Sequence, residues 1–234
     1  VGAAGTVFSV MPLRERAARA FRWTESMASS GKGKGRPTVL ILGCAGVGKT
    51  LLVRGLSNRA NRGGALKMIC ANIRPKLGHD EDETRVKLDT QPTVGVELES
   101  LDAGRFGALI LREVGSPMLP MWHAYYKECA VVIYVINLSD RLQISDAAVE
   151  FWNMIRSTDL ESKDVLILCT HEDMIDTFTV KEVEDCLCLY SLSHRQASVE
   201  IMSANLRRKV DCDKVLKWLA AAVWGAGQLA GKIE

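Results

Sequence analysis

The chain has 234 residues, enough for one α/β domain with about forty residues over and too few for two independent large domains. Lys and Arg number 30 against 28 Asp and Glu, which excludes the global basic field that nucleic-acid binding favours. With 47% apolar and 25% charged residues the chain reads as a soluble globular protein, and no apolar run is long enough to span a bilayer. Its 7 cysteines, an odd number scattered along the chain, read as free thiols in an intracellular, cytoplasmic setting.

In chain order, residues 1–36 form an N-terminal extension that ends in the polar boundary SSGKGKGRP. Arg14, Arg16, Arg19 and Arg22, with Phe21 and Trp23, leave three readings of it open: a poorly ordered leader, a targeting segment, or an amphipathic helix making peripheral membrane contact. TVLILG (38–43) is a continuous apolar run, as expected of a strand buried on both faces, and it leads directly into a glycine loop. KTLLVRGLSNRA follows with helical spacing. Residues 61–90 then interrupt the pattern as a long insertion with Gly, Pro and an acidic run at Asp80–Glu83.

VGVELESLDAGRFGALIL predicts two strands joined at Asp102, Ala103 and Gly104 as an antiparallel hairpin. Runs at 106–113, 130–138, 164–170 and 197–204 predict strands, and patterns at 118–128, 145–157, 180–190 and 211–224 predict helices. The expected architecture is an α/β domain over 37–226: a mostly parallel six-stranded sheet with one antiparallel edge, helices on both faces, and a tail at 227–234.

GCAGVGKT (43–50) fits the phosphate-cradling pattern without a mismatch and stands between a strand and a helix, as that site requires. Glycines let the backbone N–H groups of Gly43, Ala45, Gly46, Val47 and Gly48 converge on phosphate. Lys49 can reach the terminal phosphates, and the Thr50 hydroxyl can ligate Mg²⁺. Thr93, in QPTVGVEL, precedes the next strand and is placed to reach both the metal and the last phosphate.

PTVGVEL and the hairpin after it resemble the first switch and interswitch of Arf-family small GTPases, and the resemblance covers residues 38–224. REVGSPMLPMWHAYYKEC (112–129) is similar to a branch of that family with Arg-Glu in place of the usual Trp-Asp. The resemblance implies a Ras-like P-loop GTPase fold, GTP/GDP and Mg as cofactors, effector and regulatory proteins as partners, a monomer, and work in membrane or ciliary traffic. Laid on the motif Trp-Asp-x-Gly-Gly-Gln, Glu113 takes the place that holds magnesium through water, and Ser116 offers a backbone N–H to the γ-phosphate. Pro117 stands where the family has the water-orienting Gln, so very slow intrinsic hydrolysis is expected.

The base-reading motif is altered too. Asp173 keeps the carboxylate that accepts from guanine, while Thr170 and His171 replace Asn and Lys, losing the loop-tying amide and leaving His171 to stack on the base. Ser203, Ala204 and Asn205 match Ser-Ala-Lys at two positions, which implies that the Ala204 N–H meets the guanine oxygen. Val96, Arg112 and Tyr125 fall at the places of the effector patch, more polar here because Arg112 replaces Trp. Two other readings remain open: a pseudo-GTPase interaction module that holds one nucleotide or none, and an ATP-using P-loop enzyme.

Overall fold

A computed structural model describes residues 36–62, 64–71, 90–161, 163–192 and 198–225. The N-terminal arginines, the acidic run at Asp80–Glu83 and the tail from 227 lie outside the described residues. Six strands, β1 (Thr38–Leu42), β2 (Val96–Asp102), β3 (Ala108–Val114), β4 (Val131–Asn137), β5 (Asp164–Thr170) and β6 (Ser198–Ser203), form one sheet in the order β2-β3-β1-β4-β5-β6. Only β2 and β3 pair antiparallel.

The burial of each strand follows from its place. β1, with neighbours on both sides and helices over both faces, is buried at every position, and its side chains divide by the period of two. Val39 and Ile41 join a core cluster with Leu52, Leu56 and Leu216, whereas Leu40 and Leu42 join another with Trp122, Tyr134 and Phe151. β2 is the sheet edge, and Val96, Glu97, Leu98 and Ser100 are exposed along it. The hairpin turns at the expected residues: the Gly104 N–H donates to the Asp102 carboxylate at 2.8 Å, and Ala103 donates to the Gly107 carbonyl at 2.9 Å.

Among the described residues five α-helices surround the sheet: α1 (Lys49–Ser57), α2 (Ala65–Cys70), α3 (Gln143–Ile155), α4 (Val180–Cys186) and α5 (Lys209–Trp224). None of the described helices is long and apolar enough to cross a membrane. Three expectations need correction. The insertion does not begin as loop at residue 61, because α1 runs on into a π-helical turn, Asn58–Arg62, and α2 follows. Leu66, Ile69 and Cys70, at helical spacing, are buried, and α2 packs on α5.

The helix expected at 118–128 is a run of 3₁₀ turns over Ser116–Tyr125. Pro120 within it has no N–H to give to an α-helical ladder, and Pro117 favours only the first turn. The pattern at 180–190 ends its α-helix at Cys186 and reverses through Cys188, whose φ is 50°. Its start is fixed by a capping box between Thr179 and Glu182.

The π-helical turn is lashed to α5 by a bidentate ion pair. Arg59 Nε and Nη2 donate to the two Asp213 carboxylate oxygens at 2.7 and 2.8 Å, and both residues are buried.

Candidate nucleotide site

The loop after β1 takes a path that only glycine allows at two points. Gly43 has φ 143°, and a Cβ there would sit 2.4 Å from the Val135 carbonyl oxygen of β4. Gly48 has φ 91° and leads into α1, whose first residue is Lys49. Lys49 is buried, and its ammonium donates to the loop's own carbonyls, Gly43 at 2.8 Å and Cys44 at 2.7 Å. Burial pulls its pKa down, opposed by the charge of Glu113.

Three oxygen-bearing side chains from separate segments converge beside it. Glu113 Oε1, at the end of β3, accepts from the Thr50 hydroxyl at 2.7 Å and the Thr93 hydroxyl at 3.0 Å, and the two hydroxyls lie 3.2 Å apart. Glu113 is 1% exposed, and its Oε2 is buried without a hydrogen-bond partner among the described residues. A buried carboxylate oxygen with nothing to accept is costly, and an all-oxygen donor set beside it fits a hard divalent cation such as Mg²⁺. The longer side chain of Glu113 therefore still reaches the Thr50 hydroxyl directly. Gly115 is where Thr93 passes closest: its N–H donates to Gly95 at 2.8 Å, and a Cβ on it would lie 2.1 Å from the Thr93 carbonyl oxygen.

At the other end of the cavity a hydroxyl stands where the family's loop-tying amide is lost. Thr170, at the end of β5 and 1% exposed, sets its hydroxyl 2.9 Å from the Val47 carbonyl and 3.1 Å from that of Ile136. A threonine hydroxyl thus holds the phosphate loop to the sheet. His171 has φ 61° and places Nδ1 2.9 Å from the same hydroxyl oxygen. Burial lowers the His171 pKa, which favours the neutral ring; with its proton on Nδ1 the ring donates to Thr170, whose own proton is left for the carbonyls. Thr170→Val keeps the shape and removes this donor, and is expected to cost about 1–3 kcal/mol in urea unfolding; an unchanged midpoint would remove the hydroxyl from the account.

The cavity is lined by Ala45 to Leu51, Thr90 to Thr93, Glu113, Ser116, His171 and Arg207. Thr90, Gln91, Pro92 and Arg207 were not singled out from the sequence. Gln91 and Pro92 adjoin the Thr93 motif and were within reach of that argument, but no motif marks Arg207. Asp173, Ser203, Ala204 and Asn205 are outside that lining. Asp173 is exposed on the turn after β5, and the Ala204 N–H donates to the Cys169 carbonyl at 2.9 Å, so in this conformation it is not directed at a base. The Asn205 carboxamide oxygen accepts from the Arg207 N–H at 3.0 Å, closing a local turn.

The expected effector patch comes together on one side of the hairpin. Leu98 lies directly across from Arg112 in the register, with Val96 two residues before it on the same face. Val96 is 36% and Leu98 62% exposed. The Arg112 guanidinium pairs with Glu128 at 2.6 Å and sits 5.2 Å from the Tyr125 ring centre. Leu98 joins this surface through the strand register, which the motif match did not use.

A largely parallel sheet whose first strand opens into a glycine loop, with Lys49, Thr50, Thr93 and Glu113 around one cavity, defines a P-loop nucleotide-binding protein of the small GTPase class. The model of the ADP-ribosylation factor family matches residues 76–223, more than half of the chain. The chain belongs to the ADP-ribosylation factor family. The matched span begins downstream of GCAGVGKT, so the phosphate loop stands on its own pattern and geometry.

ADP-ribosylation factor-like protein 16 of Homo sapiens is 29% identical over 183 residues, covering 78% of this chain and 84% of that protein. ADP-ribosylation factor D of Dictyostelium discoideum is 26% identical over 114 residues, covering 48% of this chain and 53% of that protein. The structure of the Arl6 BBS3 small GTPase from Trypanosoma brucei, with bound nucleotide analogue GppNp, matches with a TM-score of 0.58 at 18% identity, over 80% of this chain and 98% of that chain. At that identity the structural likeness carries the fold.

Proposed function

We propose that this chain is a guanine-nucleotide switch that uses Mg²⁺, hydrolyses GTP very slowly and offers its switch and interswitch surface to effectors. The observation that carries the reading is the convergence of the Thr50 and Thr93 hydroxyls on the buried Glu113 carboxylate, whose second oxygen has no partner among the described residues. Thr93 belongs to the segment ahead of the edge strand, so a metal and a terminal phosphate held there would tie that segment to the phosphate loop. Losing the phosphate would loosen it. The patch of Val96, Leu98, Arg112 and Tyr125 stands on the adjoining hairpin and would report the change to a partner. The protein would act in the cytoplasm, with peripheral membrane contact through its N-terminal extension and a role in membrane or ciliary traffic.

The test is limited proteolysis and thermal melting with Mg²⁺ and either GDP or a non-hydrolysable GTP analogue. Protection of residues 90–95 by the analogue but not by GDP is expected. Identical profiles would instead favour the second reading, a pseudo-GTPase that holds one nucleotide or none. Pro117 and the engaged Ala204 amide speak for that second reading.

Slow hydrolysis follows from Pro117. It stands second in the 3₁₀ run and has no side-chain amide to orient an attacking water, leaving the Ser116 backbone, Lys49 and the metal site to act by electrostatics. Single-turnover phosphate release at or below about 10⁻⁴ per second is expected for the isolated protein; a rate tenfold higher would show that another group orients the water.

A further inference from the structure

We propose that Arg207 reads the acceptor edge of the guanine, its guanidinium donating to O6 and N7 in place of the backbone amide of Ala204; this rests on the guanine-nucleotide reading above. The need for another donor comes from the loop after β6. Ala204 is buried and its N–H is spent on Cys169, while the Asn205 side chain is turned back to accept from the backbone at 207. Ser203, Ala204 and Asn205, matched to the family's Ser-Ala-Lys motif, thus do not line the cavity. Arg207 lines it instead.

Its position is at the base end rather than among the phosphates. A Cβ built on Gly48 would be 3.6 Å from Leu206 Cδ1 and 3.7 Å from His171 Cε1, so the loops after β5 and β6 meet over the end of the phosphate loop. Arg207 directly follows Leu206, and its charge is felt by His171, the other residue of this wall. Asp173, exposed two residues beyond His171, offers a carboxylate for the donor edge of the same base. A planar fork of N–H donors matches the O6 and N7 pair, and adenine, with an amine in place of O6, answers it with one acceptor fewer.

The experiment titrates nucleotide-free protein with GDP, ADP, 7-deaza-GDP and 6-thio-GDP in the presence of Mg²⁺. The two guanine analogues keep the edge that Asp173 would read and weaken N7 or O6 in turn. The native protein is expected to bind GDP on the order of 10- to 100-fold more tightly than either analogue, and Arg207→Ala to bind all three alike. Arg207→Lys, which keeps the charge and loses the fork, should recover little of the preference.

Preserved discrimination in Arg207→Ala would overturn the proposal, as would an equal loss for every ligand, ADP included, which marks a phosphate contact. Native protein that prefers GDP to ADP but ignores O6 and N7 would overturn it while leaving the guanine reading in place. Equal binding of GDP and ADP would remove both.

Discussion

Lys49→Met should weaken GTP binding on the order of 100-fold in calorimetric titration, because a buried ammonium that meets phosphate contributes several kcal/mol when truncated. Lys49 is 6% exposed, and its ammonium donates to two carbonyl oxygens of the loop, Gly43 and Cys44, with the charge of Glu113 nearby. Neutral oxygens compensate a buried cation poorly, so bound phosphate supplies what the loop alone lacks. Methionine keeps most of the stem and its packing, which separates loss of charge from loss of fold. Unchanged affinity in this variant would mean that the phosphate chain lies elsewhere.

Asp213→Ala should lower the melting temperature by about 6–20 °C. Removing one partner of a buried ion pair costs about 3–5 kcal/mol, and each kcal/mol moves a domain of this size by about 2–4 °C. The effect arises because Arg59, 9% exposed and bonded through two nitrogens to Asp213, is left inside the π-helical turn with its principal counter-ion gone. Replacing both residues with apolar ones, Arg59→Leu with Asp213→Leu, should recover much of the loss, since no charge then remains desolvated. A double variant as unstable as the single one would assign the effect to packing. Neither residue lines the nucleotide cavity, so GDP affinity measured below the transition should be unchanged.

Much of the sheet was legible because strands buried on both faces leave continuous apolar runs. TVLIL, VVIYVIN and DVLILCT are buried at nearly every position, and each was bounded to within a residue or two. The start of the insertion was not read, because Gly63 and Gly64 mask a helix of only six residues that gains its stability from packing on α5. The segment at 116–125 has helical spacing of its apolar residues, yet spacing does not record that Pro120 removes a backbone donor from the ladder.

In the site the same division holds. The sequence by itself determined the phosphate loop, because the positive φ values of its glycines and the adjoining Lys49 and Thr50 are local requirements written in consecutive residues. Thr93 was marked by its place just before a strand, and Glu113 by the resemblance to the Arf-family motif. Only the tertiary structure decided that Thr50, Thr93 and Glu113 meet at hydrogen-bonding distance, although 43 and 63 residues separate Thr50 from its two partners. It also decided that a threonine hydroxyl takes over the loop tie, that the Ala204 amide is engaged in the sheet, and that Arg207 reaches the cavity. Those outcomes depend on which strand ends lie side by side and on which donors the backbone has already used. Neither is encoded in any short stretch of residues.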